Sequence, residues 1–278
     1  MSEPIHEMTA AERVALVERE KHRITYRNIT LSFAGILLFL LIWEGLALSG
    51  IVDSRILCDV LEVLRLFVTK LSDPNPDGAV LTVHIWSSLQ VALLGFLLAV
   101  VIGVPLGWLM GWYRGADSLL RPIFEIIRPI PPVSWIPLTI VWLGIGLPAK
   151  SFIVFFAAFV PCLINAYTGI RQTKEVLKNV GKTFGASYFT VFVKVGIPSS
   201  LVMTFAGIKV AIGNAWATLV AAEMLAASSG LGYMILMGRS YARVDLIILG
   251  IVVIGVLGVI ISAIINRLER IFLGWRYV

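Results

Sequence analysis

Six apolar stretches, each close to the length of a membrane-spanning helix, constrain this chain more than any other feature. A helix needs about 20 mostly apolar residues to cross the hydrocarbon core of a bilayer. The stretches lie at about 31–48, 89–111, 119–146, 151–170, 199–223 and 246–265. Prolines interrupt the third stretch, whereas the second contains no charged residue. The pattern predicts an all-α integral membrane protein with six transmembrane helices.

The composition favours the same environment. Of the 278 residues, 58% are hydrophobic and 14% are charged, against about 45–50% and about 25% in soluble domains. The mean hydropathy of +0.91 argues against a soluble enzyme and against a disordered chain. The net charge of +6 is explained by membrane topology, so we expect no nucleic-acid partner. Cys58 and Cys162 give neither a disulfide framework nor a metal-binding spacing.

Lysines and arginines predict the orientation, because cytoplasmic segments of membrane proteins carry an excess of them. With the N-terminus inside, the inner segments hold 15 of the 23 Lys and Arg residues and the outer segments hold 6. Both termini are therefore predicted to be cytoplasmic. We divide the chain into an N-terminal tail, residues 1–30, and one membrane domain, residues 31–278.

Two segments outside the apolar stretches have helical patterns. Thr9 to Lys21 in the tail is compatible with a short amphipathic helix that docks on the membrane or on a partner, and equally with a solvated tail. Val60 to Leu71, in the outer loop, is predicted to form a short interfacial helix. Glu44, near the outer end of the first span, is expected to be interfacial.

No catalytic or cofactor-binding set stands out. The segment GIGLPAKS at 144–151 has the outline of a phosphate-binding loop, which needs successive backbone N–H groups between a strand and a helix. Here Pro148 lacks an N–H, Ala149 stands where the second glycine belongs, and two apolar spans flank the segment. We therefore expect no ATP site, and interpret Lys150 as an interfacial residue. The three histidines are scattered, so no metal is expected.

Polar residues at membrane depth are the candidates for a translocation pathway, since a charge in lipid is costly. Arg128 lies beside Pro131 and Pro132, and adjacent prolines break a helix. Such a break lines a water-filled path or marks a kink, and both alternatives stay open here. Asn214 and Glu223, on the fifth span, either face a polar conduit or bond a neighbouring helix.

Two further features of the spans concern packing and the interface. Lys209 is expected to extend to the inner interface. Gly103, Gly107 and Gly111 repeat every four residues, a spacing that lets helices approach closely. The glycine repeat favours tight packing, either within the bundle or across a dimer.

The segment from Arg171 to Pro198 is cytoplasmic by charge and too polar to cross a membrane. Three lysines in it recur at four-residue spacing and are predicted to share one helix face: Lys174, Lys178 and Lys182. Gly181 and Gly185 are predicted to interrupt this helix. Gly185 would supply the positive φ of a turn into a second helix over 187–195.

Four apolar side chains in this segment are candidate anchors for a soluble partner: Val180, Phe184, Phe189 and Phe192. An ordinary positively charged loop is the alternative, because the charges are expected either way. The two-helix pattern favours docking.

The same segment carries a motif. Asn179-Val180-Gly181, then Gly185, then Val195 to Pro198 falls in register with the cytoplasmic EAA motif, which reads EAA, three residues, G, nine residues, I-x-L-P. The glycine and the proline are kept, whereas Asn179 replaces the Glu, Gly181 the second Ala, Val195 the Ile and Ile197 the Leu. The chain thus resembles the membrane subunits of binding-protein-dependent ABC importers.

Three other stretches are similar to the nitrate/sulfonate/taurine branch of these permeases: 128–146, 217–235 and 267–275. Together with the loop, the resemblance covers about 85–278. It implies a type I importer permease fold in a prokaryotic plasma membrane. It also implies a second permease copy as a homodimer, two ATPase subunits that bind ATP and Mg²⁺, and an extracytoplasmic binding protein.

The resemblance makes the segment at 171–198 a coupling element that sits in a cleft of the ATPase. The residues assigned to it are Lys174, Lys178, Asn179, Val180, Gly181, Lys182, Phe184, Gly185 and Pro198. This chain itself is then non-catalytic and holds no cofactor.

The expected substrate is a small organic anion. The stretch at 217–235 looks closest to taurine and alkanesulfonate permeases, although nitrate, bicarbonate and vitamin-precursor permeases share the scaffold. Arg128, and a half-helix that starts after Pro132, would favour an anion. An ion-coupled secondary transporter is the rival function. It needs an ion-coupling carboxylate or an inverted repeat, and Glu223 is the only carboxylate near mid-chain depth.

Overall fold

The computed structural model describes residues 10–53 and 56–274, and the only regular secondary structure in these residues is helical. The chain divides into two compact units, one up to Leu64 and one from Arg65 onward. Thr9 and Trp275 lie outside the described residues. The helices are α1 Ala10–Leu48, α2 Val60–Lys70, α3 Leu81–Trp112, α4 Arg114–Ile127, α5 Ile136–Leu143, α6 Leu147–Arg171, α7 Glu175–Thr183, α8 Tyr188–Val191, α9 Ile197–Ala226, α10 Leu231–Ser240 and α11 Val244–Phe272.

In the first unit, α1 runs without a break from Ala10 to Leu48. The prediction of a separate short helix that ends at Lys21 is therefore wrong. No glycine or proline interrupts the sequence before Gly35, so the tail residues are part of the same helix as the first span. Near the other end, the Glu44 carboxylate accepts a hydrogen bond from the N–H of Val60, the first residue of α2, at 2.9 Å. Glu44 thus caps α2, the helix predicted at 60–71.

Five helices in the described residues are long and apolar enough to cross a membrane: Tyr26–Leu48, Leu81–Trp112, Leu147–Arg171, Tyr188–Leu225 and Val244–Phe272. The sixth candidate is a pair of helical segments, Arg114–Ile127 and Pro132–Leu143, bent by 85°. The six predicted spans are thus found in order, the third as a bent pair. The helices extend beyond the predicted bounds because their polar flanks are also helical.

Glycines let the three central helices of the second unit pack closely. Gly111 ends the four-residue glycine repeat of α3, and a Cβ there would lie 2.7 Å from the carbonyl oxygen of Tyr167 on α6. Between α6 and α9, a Cβ on Gly207 would lie 2.9 Å from the carbonyl oxygen of Pro161. Of the two alternatives for the repeat, the structure shows packing within the bundle.

Candidate functional site

Helices α7 and α8 form the helix–turn–helix predicted for the inner loop. The turn closes where the N–H of Gly185 donates to the Lys182 carbonyl, 2.9 Å away. Gly185 has a φ of +74°, in the left-handed region that favours glycine, so this prediction is confirmed. The Ser187 hydroxyl then accepts the N–H of Thr190 at 3.1 Å and caps α8.

Two details of that prediction are wrong. Gly181 does not interrupt α7 but lies inside it, where a Cβ would come within 2.9 Å of the Val191 side chain. Its missing side chain therefore lets α7 pack on α8. The second helix also does not stop at residue 195, because it continues through a π-turn, Phe192–Gly196, into α9. Pro198, which has no N–H to donate to the preceding turn, lies directly after this wide turn.

Lys178 and Lys182 are four residues apart within α7 and therefore lie on one helix face, as predicted, but the three lysines differ in their surroundings. Lys174 stands at the N-terminal cap of α7, and Lys182 is exposed. Lys178 turns inward, with only 22% of its side chain exposed. Its ammonium donates to the Glu175 carboxylate at 2.9 Å, and this bond lowers the pKa of Glu175 below its usual value.

Apolar side chains cover the outside of the helix pair. Phe184 is the most exposed of them, at 86%. Phe192, by contrast, is buried against Trp112, with ring centroids 5.6 Å apart, so it is not available as an anchor. The exposed set, called the α7–α8 surface below, is Val176, Leu177, Val180, Phe184 and Phe189. Exposed Asn179 lies on the same helix. Several exposed apolar side chains on one short helix pair indicate an interaction site.

The helix break around Arg128 lies at the height of the middle of α6. On one side of the break, the Phe124 ring contacts Phe159, with centroids 6.5 Å apart. On the other side, the Trp135 ring stacks on Phe156 at 5.1 Å. Both partners are central in α6, whose bounds are Leu147–Arg171. If α6 crosses the bilayer, Arg128 is near its midplane, and Pro131 and Pro132 form the bend there.

A groove between α4 and α6 opens beside this break, with a volume of about 160 Å³. We call it the α4–α6 groove. Its polar lining is Arg121, Glu125, Arg128, Tyr167 and Thr168, and its apolar lining is Met110, Phe124, Leu163 and Ile164. Arg121 and Glu125 share one face of α4, and Arg128, the residue directly after this helix, follows Glu125 at an interval of three residues.

Two arginines converge on one tyrosine at one end of the groove. Arg121 and Arg171 donate to the Tyr167 hydroxyl at 2.6 and 2.5 Å. That hydroxyl donates to the Asp117 carboxylate at 3.3 Å. The Arg121 guanidinium also lies 3.5 Å from Glu125. Arg128 is exposed, and no hydrogen bond or ion pair of its side chain is found within residues 10–53 and 56–274.

The two polar residues of the fifth span lie in different places. Asn214 is exposed on α9, whereas Glu223 is fully buried. The Ser88 hydroxyl lies 2.8 and 2.9 Å from the two Glu223 carboxylate oxygens, and the N–H of Gly232 donates to one of them at 2.9 Å. Of the two alternatives for Glu223, the structure shows the bond to neighbouring helices. Its place on a pathway stays a prediction.

A second buried polar group joins the start of α3 to the turn before α10. His84 Nδ1 accepts the N–H of Gly230 at 3.0 Å, and Nε2 lies 3.0 Å from the Asp77 carboxylate. Asp77 also pairs with Lys70, whose ammonium donates to the Ala79 carbonyl at 2.9 Å. Burial alone would raise the pKa of Asp77, but the contacts with His84 and Lys70 outweigh it and lower the pKa. No motif in the sequence links these residues.

Two lysines of the spans have specific surroundings in the structure, and one of them differs from its prediction. Lys150 is not interfacial in a loop: it lies in the first turn of α6 and is buried. Lys209 pairs with Glu269, which lies near the end of α11, and its extension to the inner interface stays a prediction. In the part of the chain that the structure describes, no three His, Cys, Asp or Glu side chains are grouped as for a metal ion.

Comparisons with known proteins agree with this geometry. Residues 103–273 match the family described as "Binding-protein-dependent transport system inner membrane component". A putative ABC transporter permease protein of Methanocaldococcus jannaschii is 35% identical, over 91% of this chain and 95% of its own. The taurine transport system permease protein of Escherichia coli is 30% identical, over 90% of each chain.

Other relatives have related names. A putative aliphatic sulfonates transport permease protein of Bacillus subtilis is 30% identical over 84% of this chain and 83% of its own. A nitrate import permease protein of Leptolyngbya laminosa is 31% identical over 66% of each chain.

A solved structure shares the fold. It is the MetNI methionine ABC transporter in an inward-facing conformation, with a TM-score of 0.58 at 20% identity, covering 67% of this chain and 93% of that one. The family match, the relatives and the apolar helices lead to one conclusion. The chain belongs to the binding-protein-dependent transport system inner membrane components, as a multi-pass ABC importer permease of the branch whose relatives are named for taurine, sulfonates and nitrate.

Proposed function

We propose that two copies of this chain form the translocation pathway of an ATP-driven importer. Two ATPase subunits would bind at the α7–α8 surface and hold ATP and Mg²⁺, and an extracytoplasmic binding protein would deliver the substrate. The chain itself would contribute no catalytic group. The observation that carries the proposal is the exposed apolar α7–α8 surface in a chain of this family.

The connections of α7 and α8 suit a coupling element. The Tyr188 hydroxyl donates to the Trp112 carbonyl at the end of α3, 3.0 Å away. Helix α8 is continuous with α9 through the π-turn. A force applied at Phe184 or Phe189 would therefore reach two of the spans through packed, hydrogen-bonded contacts. The assigned coupling residues are those named above, with Lys178 and Gly181 acting through the packing of α7 and not by direct contact.

The proposed substrate is a small organic anion of the sulfonate class. Arg128 supports this, because its guanidinium, for which the described residues provide no partner, lies at the height of the bend in the third span, where an anion would offset its charge. Relatives named for taurine and aliphatic sulfonates support it further. Nitrate, bicarbonate or a vitamin precursor is the alternative cargo, with nitrate favoured by one relative's name.

The proposed setting is a prokaryotic plasma membrane with both termini cytoplasmic, a tail over 1–30 and a permease domain over 31–278. A cysteine at exposed position 75 should then react with an impermeant thiol reagent from outside, and one at exposed position 182 only from inside. Variants lacking Cys58 and Cys162 provide the background. Reversed labelling would contradict the orientation.

The function is tested by uptake into vesicles that contain the permease, its ATPase and its binding protein. We expect ATP-dependent accumulation of a sulfonate, and none when the ATPase is left out. Uptake driven by an ion gradient through the isolated chain would favour a secondary transporter and overturn the proposal. ATP-dependent uptake of nitrate without any sulfonate uptake would keep the importer and overturn the substrate class.

A further inference from the structure

Three successive backbone N–H groups at the start of α10 are held by side chains from two other helices. The N–H of Gly230 donates to His84 Nδ1 at 3.0 Å, that of Leu231 to the Ser88 hydroxyl at 2.8 Å, and that of Gly232 to the Glu223 carboxylate at 2.9 Å. His84 and Ser88 stand on α3, and Glu223 stands on α9. We call these three contacts the α10 clasp.

The start of α10 depends on the α10 clasp for its hydrogen bonds. The first N–H groups of a helix have no acceptor within the helix itself, so they need partners from outside it. All three acceptor side chains are fully buried. A buried N–H that loses its acceptor bears the full cost of desolvation, which favours opening of the turn toward water. Removal of one acceptor should therefore loosen the start of α10 from α3.

The contact with His84 exists in only one protonation state of the imidazole. A backbone N–H can only donate, so His84 Nδ1 must accept from Gly230 and cannot carry a proton. The ring proton is then on Nε2, which lies 3.0 Å from the Asp77 carboxylate. A second proton would make Nδ1 a donor that faces the N–H of Gly230, and the hydrogen bond would be lost.

The charges around His84 leave little to balance a second proton. The surrounding titratable groups come from every element packed there: Lys70 of α2, Asp77 of the loop before α3, Lys150 of α6, Glu223 of α9 and Tyr233 of α10. Lys70 pairs with Asp77, and Lys150 interacts electrostatically with Glu223. Each carboxylate is thus offset by a lysine, so a proton on His84 would add positive charge to a buried cluster, which is costly.

We propose that the α10 clasp is a pH-sensitive switch, in which protonation of His84 releases the N–H of Gly230 and opens the turn before α10. Histidine is the side chain whose charge ordinarily changes between about pH 5 and pH 8. The open turn binds the proton better than the closed one, so the α10 clasp is closed at the upper end of this range and opens as pH falls. The switch depends on neither an ATPase nor a cargo, and so goes beyond the proposed function. In the predicted orientation it would respond to the pH outside the cell.

Amide hydrogen exchange of the full-length chain in phosphatidylcholine nanodiscs tests the switch. The readout is the exchange rate of the fragment that contains Gly230 to Gly232, near pH 8 and near pH 5. Variants are compared at the same pH, so that the intrinsic pH dependence of exchange cancels. His84→Asn keeps an acceptor on Cγ, where Nδ1 is attached, and does not titrate. His84→Gln places its polar group one bond farther out, so Gly230 is left unpaired at either pH.

We expect the unaltered chain to exchange like His84→Asn near pH 8 and about ten-fold faster than His84→Asn near pH 5, about the factor for one buried hydrogen bond. His84→Gln should exchange fast at both pH values. The matched control replaces the other two histidines of the sequence, His6→Asn with His22→Asn, and should respond to pH like the unaltered chain. The unfolding temperature of each variant near pH 8 checks its folding.

Three results would overturn the switch. The first is that the unaltered chain and His84→Asn exchange equally at both pH values. The second is that the faster exchange near pH 5 survives in His84→Asn, since Asp77 or Glu223 would then be the titrating group. The third is that His84→Asn and His84→Gln exchange equally near pH 8, since an acceptor at Nδ1 would then hold nothing in place.

Discussion

The ammonium of Lys178 lies over the indole ring of Trp112, 5.2 Å from its centroid. Lys178 is in the middle of α7, and Trp112 is the last residue of α3. The contact therefore joins the proposed coupling helix to the C-terminal end of a span. Cation–π contacts contribute about 0.5–1 kcal/mol at exposed sites and about 2 kcal/mol or more when desolvated.

Replacing Lys178 should weaken coupling while leaving the spans intact. For Lys178→Ala we expect ATP-driven uptake to fall about five-fold, with normal membrane levels, because α7 loses its contact with Trp112. Lys194→Ala is the control, since Lys194 is an exposed lysine of the π-turn that follows α8 and is not among the assigned coupling residues. A double-mutant cycle with Trp112→Leu measures the pair. Independent effects of the two substitutions would show that the contact carries no coupling.

The local features of this chain were predictable because they depend on local chemistry. Apolar length predicts the spans, Pro131 and Pro132 predict the bend, and Gly185 predicts the left-handed turn. These residues act on their own backbone or on the lipid, so a short window of sequence contains the cause.

The long-range contacts were not predictable for the opposite reason. Arg121 meets Tyr167 across 46 residues, Ser88 meets Glu223 across 135, and His84 meets Gly230 across 146. Each pair depends on how two helices pack, which no local pattern records. The inward turn of Lys178 was missed likewise, because a four-residue lysine spacing does not show that one member faces Trp112.

Gly185→Val should disrupt the turn between α7 and α8. The substitution places a β-branched residue at a φ of +74°, which costs about 1–3 kcal/mol of local strain. No atom lies within 4 Å of the added Cβ, so the effect is one of backbone geometry. We expect normal membrane levels with loss of ATPase co-purification and of uptake. Gly185→Asn, which tolerates a positive φ, should keep most of both activities. Equal defects in the two variants would point to a lost contact surface instead.

Replacing Glu223 should above all lower the stability of the folded chain. Glu223→Ala would leave the Ser88 hydroxyl and the Gly232 N–H without their buried acceptor, at a cost of about 1–3 kcal/mol for each group. We therefore expect a clear fall in the unfolding temperature of the detergent-purified chain. Asn214→Ala, on the same helix but exposed, is the control and should leave it unchanged. A Glu223→Ala chain with unaltered unfolding and reduced uptake would restore Glu223 as a pathway residue.

The pair of Asp77 and Lys70 should make stability depend on pH. Because the pKa of Asp77 is lowered from its ordinary value of 3.8, the unfolded chain binds the proton more readily than the folded one. The stabilisation is therefore complete well above that value, and is lost as pH falls through it toward the lower folded pKa.

Asp77→Asn leaves Lys70 buried without its charged partner, at a cost of about 3–5 kcal/mol near neutral pH. Unfolding in denaturant from pH 7 down to pH values near 3 should show the gap between Asp77→Asn and the unaltered chain shrinking with acidification. Asp73→Asn, in the same exposed loop but without a buried lysine, should show no such gap. A gap for Asp77→Asn that stays constant over this range would mean that the carboxylate charge does not stabilise the fold.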